Sequence, residues 1–585
     1  MGNSMSHRDW IRSETYVDAA LNLVIGRIGI GVFNSDQQPV WNSKHTIALV
    51  MAGEFYDPDR SGGKGDEQLA LSYYQEYGET FASRLNGAFV IGILDKRQKK
   101  LVIANDRFGL YPIYFSTWGG NLVFAPEVKA ILATKIVPKK LDLIALAQYM
   151  RFQHLLGLRT FFEDIHLFPA ASILSCDLQT GDCETRAYWT FADIPDRLNV
   201  TFPEAAEETG MLLRRTVARL TQDQLRPGVF LSGGLDSRTI LGLIQRRPVV
   251  THTFGAKGCR DVRYAAQIAR TVGSEHHWHD LTDGRWVADH AGFHLELTEG
   301  FHSWIHSHGI SMLPEVRNTM DVNLTGWDGG TVMGHGDSIG PRISESVDDL
   351  ALTALLFQRF NQLYTWPGIT EAEEGFLYRD EISKRIRGLA YDSFVVEFEH
   401  FRKFRKDLRG DLFFIIHHCR RMTQNMITFA RSYIEVRFPF FDYDLIEFLY
   451  GIPARVRGHR ELYRDIIQKE LPRLALIPYD NDEFLPTSNS TVRTAHATAV
   501  KIVHRLRRNQ PQDTLYADYE NYLRTDLRAW GEKILFDPRL LKRGIFNPEF
   551  VKSIWARHQS RMEEWTVGKI APIMTYEMML QRYYD

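Results

Sequence analysis

Apolar residues in the first part of the chain come in short runs separated by turn residues. IGRIGIGVF (25–33), HTIALVMAGEF (45–55), GAFVIGILD (87–95), KLVIAND (100–106) and YPIYF (111–115) each read as a strand. One helical stretch, Glu67 to Tyr77, interrupts them. Many strands with few helices predict a layered antiparallel sheet core. Beyond Pro138 the pattern turns helical over Leu141 to Phe152, then strand-like over Ala171 to Cys176, with a turn at Thr180-Gly181 and Tyr188-Trp189 at its close. The polar, proline-punctuated ADIPDRLNVTFPE (192–204) places a domain boundary near 190–205.

The second part alternates differently. Residues 205–221 carry helix-spaced apolar positions, Arg226-Pro227-Gly228 turns, and Val229 to Leu231 reads as a short buried strand. Ser232-Gly233-Gly234-Leu235-Asp236-Ser237 follows, and Arg238 to Gln245 is helical again. Strands over Val249 to Gly255 and His276 to Leu281 flank a helix over Asp261 to Val272. A further strand, Asp321 to Gly326, ends in a glycine-rich loop. Such alternation implies a parallel sheet with ligands at the C-terminal ends of its strands. A strand, a glycine-rich loop and a helix suit an anion, because backbone N–H groups and the positive end of a helix dipole face it. Gly233 and Gly234 allow close backbone approach, and Ser232 and Ser237 add hydroxyls. Asp236 beside phosphates calls for a bridging cation, which suggests Mg²⁺. The loop lacks the GxxxxGK[ST] of a Walker A.

Composition narrows the class. The chain has 585 residues, enough for two to four domains. Its 70 Lys and Arg against 72 Asp and Glu leave a formal charge of −2, which excludes nucleic-acid binding by bulk charge. Four cysteines, Cys176, Cys183, Cys259 and Cys419, form no CxxC pair, so neither a disulfide scaffold nor a thiolate zinc site is expected. Met1 to Thr15 is polar, and no apolar run approaches the ~18–20 residues of a membrane span. A soluble cytoplasmic protein is expected, with no membrane or nucleic-acid partner and a homodimer as the default assembly.

The residues Arg84 to Val90, Asp95, Asn105-Asp106-Arg107-Phe108-Gly109 and Tyr111 to Phe115 resemble the glutaminase domain of class II glutamine amidotransferases over roughly residues 25–190. The resemblance implies a four-layer αββα sandwich of the Ntn-hydrolase type. It does not imply glutamine hydrolysis. The family nucleophile is a cysteine exposed at position 2, where this chain has Gly2, and the first cysteine is Cys176. The family's oxyanion-stabilising Asn-Gly corresponds to Ala52-Gly53, and losing one such donor costs a few kcal/mol. Asp66 matches the aspartate that holds the glutamine amine. A scaffold role is the expectation for residues 1–195.

Residues 200–585 resemble the synthetase domain of the asparagine synthetase family, whose relatives include β-lactam synthetase and lasso-peptide cyclases. The carriers are Ser232 to Ser237, similar to the pyrophosphate loop of N-type ATP pyrophosphatases, then Glu435 to Asp442, Gly458 to Arg464 and Arg543 to Tyr584. The resemblance implies an α/β fold with a helical C-terminal part. It also implies an AMP-forming ligase that activates a carboxylate with ATP and Mg²⁺. By position, Leu231, Ser232, Gly233, Gly234, Leu235, Asp236, Ser237, Thr253, Phe254, Gly255 and Gly326 would hold ATP, with Asp236 and Asp328 on the metal. Asp236, Arg460 and Trp327 would be catalytic.

Three departures bear on the substrate. Trp327 stands where asparagine synthetase has glutamate and β-lactam synthetase an aromatic residue. Gly330 stands at the metal aspartate, with Asp328 two residues earlier. Arg460 replaces the family lysine, keeping the charge without a removable proton. Trp327 and Gly2 favour a small-molecule or peptide substrate that carries both carboxylate and amine, as in lactam or lasso-peptide cyclisation, whereas Gly330 and Arg460 favour a degenerate homologue. The rivals are an ammonia-dependent asparagine synthetase, a tRNA-modifying enzyme and a degenerate nucleotide-binding homologue.

Other clusters read as structural. His302, His306 and His308 have metal-ligand spacing, with His302 and His306 on one helix face, but a polar surface or pocket wall is expected. His276, His277 and His279 are strand histidines, and His417, His418 and Cys419 belong to a partly buried helix. Lys501 to Arg508 reads as a solvated basic helix face, and Trp555, Trp565, Tyr576 and Tyr583 as packing residues.

Overall fold

A computed structural model describes residues 1–56, 65–335, 339–362, 366–458, 461–479, 484–487, 495 and 516–585. Arg460, most of the turn-rich Asp57–Asp66 segment and the basic Lys501–Arg508 run lie outside the described residues.

The first 190 residues hold β1 (Arg12–Asp18), β2 (Leu23–Gly29), β3 (Val40–Trp41), β4 (Ile47–Phe55), β5 (Gly87–Asp95), β6 (Lys100–Asn105), β7 (Tyr114–Ser116), β8 (Val123–Ala125), β9 (His166–Leu167), β10 (Ser172–Asp177) and β11 (Cys183–Ala187). They form a six-stranded sheet in the order β11-β10-β6-β5-β4-β3, a three-stranded sheet β8-β7-β9 and the hairpin β1-β2, all antiparallel. β4 is buried on both faces, so it appears in sequence as a nearly continuous apolar run. One face, with Phe55, Phe89, Ile91 and Ile93, packs on Leu71, Tyr74 and Phe81 of the helix Asp66–Tyr77 and the turn after it. The other, with Ala48, Val50 and Leu94, packs on Leu23 and Ile25 of β2. Ile103 and Leu174 meet Ile113 and Phe168 there. Helices Val128–Leu132 and Leu143–Phe152 are buried in the core that the first part shares with the second.

The cysteine expectation needs correction. Cys176 and Cys183 are directly opposed across β10 and β11 and form a disulfide. The turn at Thr180-Gly181 makes cross-strand neighbours of residues seven apart, a pairing that a search for CxxC misses. Cys259 and Cys419 are free and buried.

The second part is built on β12 (Pro227–Phe230), β13 (Val250–Gly255), β14 (Glu275–Asp280), β15 (Val322–Leu324) and β16 (Glu435–Arg437). All pair in parallel, in the order β14-β13-β12-β15-β16. The chain runs outward from β12 through β13 to β14 and then returns to the opposite side of β12. The order therefore reverses between β12 and β15, where open α/β sheets form their ligand crevice. Helix Phe202–Arg219 starts with a Thr201–Glu204 capping box. Helix Arg260–Val272 stops at Gly273 in the left-handed conformation. No helix among the described residues is long and apolar enough to cross a membrane.

The two parts share a polar seam. Arg437 of β16 binds Glu54 of β4 through Nε and Nη2, both at 2.7 Å, and also reaches Asp223 and the Leu220 carbonyl. Asp106 is fully buried and accepts from the N–H groups of Phe89, Phe108 and Leu110. This holds the 105–109 turn, whose Arg107 N–H donates to Tyr443 Oη at 3.0 Å. Gln424 Nε2 donates to the Gly109 and Leu110 carbonyls, both at 2.9 Å. Removing one partner of a buried ion pair leaves an uncompensated charge, so Glu54→Ala should cost about 3–5 kcal/mol. Glu54→Leu with Arg437→Met should lose clearly less than the sum of the two single changes, as read from urea denaturation of the full chain.

Candidate active site

The Ser232–Ser237 loop leaves β12 at the switch point. The Leu231 N–H donates to the His252 carbonyl at 2.8 Å, and Thr253 Oγ1 donates to the Leu231 carbonyl at 2.6 Å, so β12 and β13 end side by side. Ser232 and Ser237 hydroxyls lie 2.9 Å apart, and Ser237 Oγ accepts from the Ser232 N–H at 3.0 Å. Ser232 Oγ also accepts from the Gly234 N–H at 3.2 Å. These bonds curl the loop on itself. Leu235 and Ser237 are buried at the start of helix Leu235–Leu243, and Asp236 is half-buried in its first turn.

Two supporting residues were not singled out from sequence. Asp261, at the start of the next helix, accepts from the Gly233 N–H. Arg238 is fully buried and donates to the carbonyls of Gly233 (2.8 Å), Gly234 (3.1 Å), Leu474 (3.1 Å), Ile477 (2.6 Å) and Pro478 (2.9 Å). It ties the loop carbonyls inward and to the chain near 474–478. Arg238 directly follows the motif, so its position was readable, but an arginine at the start of a helix reads as a surface charge.

The second loop leaves β15. Its Thr325 N–H donates to the Arg437 carbonyl at 3.0 Å. A Cβ on Gly326 would lie 2.6 Å from Ser237 N and 2.9 Å from the Asp236 carbonyl carbon, so the two loops are in backbone contact. That contact unites Gly326 with Ser232–Ser237, residues separated by about ninety positions in the chain. Trp327 lies 4.7 Å from the Phe441 ring and 5.6 Å from Phe438, and its indole N–H donates to Thr423 Oγ1 at 2.7 Å. It forms a half-buried wall above the loop. Asp328 takes φ 49° and turns toward the helical segment 415–423, where Thr423 Oγ1 donates to it at 2.5 Å. Burial and the charge of Asp236 raise its carboxyl to about 6. Toward β13, the Phe254 ring stands 5.2 Å from His308, and Gly255 faces Cys259 and Val262.

The histidine expectation is also corrected. His302, His306 and His308 are buried and lie in a bend, a short 3₁₀ turn (Trp304–His306) and a further turn rather than on one helix face. His302 Nδ1 lies 3.1 Å from His294 Nε2, and burial holds both rings neutral, well below the usual histidine range. Phe301, Trp304, Ile305 and Ile310 pack into the core and carry the interspersed histidines inward.

In the first part, Gly2, Ala52 and Gly53 line a cavity of about 1160 Å³ between the β layers. Gly53 has φ +100°, and a Cβ there would collide with Ala88 and Tyr111. Asp66 does not line this cavity and accepts from the Phe55 N–H at 3.0 Å. Glu435 and Arg431 form the inner wall. Burial raises the Glu435 carboxyl to about 7, against the pull of Arg431 and of Tyr111, whose hydroxyl donates to it at 3.0 Å.

The glutamine amidotransferase domain family matches residues 1–189, and the asparagine synthase family matches residues 208–486. Both halves of the architecture are accounted for in one order. The chain belongs to the asparagine synthetase family. It is 24% identical to a glutamine-hydrolysing asparagine synthetase of Bacillus subtilis over 519 residues, which is 80% of this chain and 66% of that one. It is 26% identical to the amidase chyE of Penicillium rubens over 242 residues, 38% and 35% of the two chains. A rice asparagine synthetase is 26% identical over 309 residues, 47% and 45%. The chain spans about one third to two thirds of the length of these relatives.

This asparagine synthetase family member should show a pH effect from Glu435. A carboxyl raised from 4.5 to about 7 in the folded state keeps its proton where the unfolded chain has lost it. Stability attributable to it therefore falls as pH rises from about 4.5 to 7, by roughly 3 kcal/mol in full. Glu435→Gln should gain stability over the parent at pH 8 and gain none at pH 4, measured by denaturant midpoints at the two pH values.

Proposed function

We propose that the protein is an ATP-dependent amide-forming ligase that activates a carboxylate as an acyl-adenylate and couples it to an amine not released from glutamine. The backbone contact of Gly326 with Asp236 and Ser237 carries the reading, because it brings the glycine-rich loop and the second loop together at the switch point. The loop N–H groups, the Ser232 and Ser237 hydroxyls and the start of helix Leu235–Leu243 would take the pyrophosphate of ATP. Leu231, Thr253, Phe254 and Gly255 would border its adenosine.

Mg²⁺ fits the donor set. Asp236 offers a half-exposed carboxylate at the loop, and Asp328 is near enough for its carboxyl to be raised by the Asp236 charge, so a cation relieves repulsion there. Bound Mg²⁺ supplies charge neutralisation for the phosphates. The protein's own part is to hold ATP so that a substrate carboxylate oxygen meets the α-phosphorus. The bond from that phosphorus to the bridging oxygen breaks, and pyrophosphate leaves with the electron pair. An amine nitrogen then forms the new C–N bond as AMP departs, and its proton passes to solvent or a nearby base.

The amine source is inferred from Gly2 and Ala52, which supply neither a thiolate nor a side-chain oxyanion donor at the cavity where glutamine would sit. Trp327 offers an aromatic wall in place of a carboxylate, which suits a larger substrate than aspartate and ammonia. The substrate we infer is a small molecule or peptide with both a carboxylate and an amine, handled in the cytoplasm. Residues 1–195 serve as scaffold and residues 200–585 as synthetase.

Asp236→Ala should cut carboxylate-dependent release of AMP and pyrophosphate at least ~100-fold. Release at the parent rate in that variant would sink the mechanism. Gly326→Ala should weaken ATP binding by roughly tenfold or more, since the added methyl must displace loop backbone, as measured by equilibrium binding of ATP.

A further inference from the structure

His418 and Cys419 have no role in the ligase reading, and Asp328, considered there beside Asp236 for Mg²⁺, turns its carboxyl toward them. The ligating atoms of the three all lie within 4.8 Å of one another. Cys419 is fully buried, His418 nearly so, and Asp328 half-buried. His418 and Cys419 are consecutive in the π-helical segment Ile415–Thr423, a widened helix form that concentrates at functional sites. Asp328 reaches them from the second loop through a left-handed backbone position, φ 49°. Its hydrogen bonds run to Thr423, Thr331 and the Cys419 thiol, away from the Ser232–Ser237 loop.

The geometry points to a second metal site, in which Asp328, His418 and Cys419 bind a divalent transition metal, with zinc the expected ion. Carboxylate oxygen, imidazole nitrogen and thiolate sulfur are together the donor set of zinc rather than of magnesium, which takes oxygen alone. Tetrahedral zinc with bonds of about 2.0–2.3 Å holds its ligand atoms roughly 3.5 Å apart, so a contraction of about 1 Å closes the site. Three protein ligands leave a fourth position for water or substrate. Zinc binding replaces the Cys419 S–H proton with an S–Zn bond and releases that proton to solvent. The ion would pin the Thr325–Gly330 loop to the 415–423 segment and place positive charge beside Asp236. Asp328 would then belong to zinc, and the Mg²⁺ of the ligase reading would rest on Asp236.

A different cluster supplies the control. His252 Nδ1 and His279 Nε2 lie 2.9 Å apart near Glu315, on a more exposed part of β13 and β14. The test uses the full chain without a histidine tag, stripped with a chelator, reloaded with zinc or cobalt alone and dialysed. One equivalent of zinc per chain should remain, and the cobalt form should show a thiolate-to-metal charge-transfer band. Cys419→Ser should lose that band, and His418→Gln should weaken zinc binding at least tenfold, while His279→Ala changes neither. His418→Gln gives an independent reading if Cys419→Ser disturbs the core, with circular dichroism verifying the fold of each. No retained equivalent, a band that survives Cys419→Ser, or loss of the ion in His279→Ala would overturn the site. The measurement needs neither ATP nor substrate, so its failure is distinct from failure of the ligase reading.

Discussion

Arg437 ties the first part of the chain to the parallel sheet of the second through a buried guanidinium. That group bridges Glu54, Asp223 and the Leu220 carbonyl, while the Arg437 carbonyl receives the Thr325 N–H that begins the second loop. Glu54 directly follows Gly53, at the wall of the amidotransferase-like cavity. One residue therefore links the first part both to β16 and to the start of the loop that meets Ser232–Ser237. Burying such a charge is costly unless all its partners are present. The interface is consequently specified by polar geometry and not only by apolar contact.

The same constraint gives the amidotransferase-like signature a structural task in this chain. Asp106 and Arg107 act in docking: Asp106 shapes the 105–109 turn, and the Arg107 N–H engages Tyr443. A Cβ on Gly109, which has φ +62°, would strike Arg420. These residues are required by the seam whether or not glutamine is hydrolysed. A motif that identifies the fold so well is for that reason weak evidence about the chemistry of the fold.

What was legible in the sequence was local. The Ser232–Ser237 motif is contiguous, so its strand, loop and helix could be read directly, and the double burial of β4 left an apolar run that could not be mistaken. What was hidden was set by long-range packing. Asp261 serves the loop from 28 positions away, and Asp328 meets Cys419 from across about ninety residues. His302 and His306 followed a helical spacing, but buried neighbours forced a bend and a short turn instead. The Cys176–Cys183 pair was hidden by register, because nothing in a seven-residue separation states that two positions face each other.

The contact of Gly326 with the Asp236–Ser237 backbone follows from the sheet. Neighbouring parallel strands lie about 4.8 Å apart, so the loops leaving β12 and β15 at the same end begin within one strand spacing. A side chain on either loop must occupy that gap or be absent. Gly326 leaves it empty, and the bulk of the second loop is displaced to Trp327 and Asp328, which turn toward Phe441 and the 415–423 segment. The departures from the family loop are therefore coupled. A residue that leaves the phosphate side must be received on the other, and the 415–423 segment receives both the Trp327 indole and the Asp328 carboxyl at Thr423. The second loop is thus anchored through its side chains to the 415–423 segment, whereas the glycine-rich loop is held through its backbone by Arg238 and Asp261.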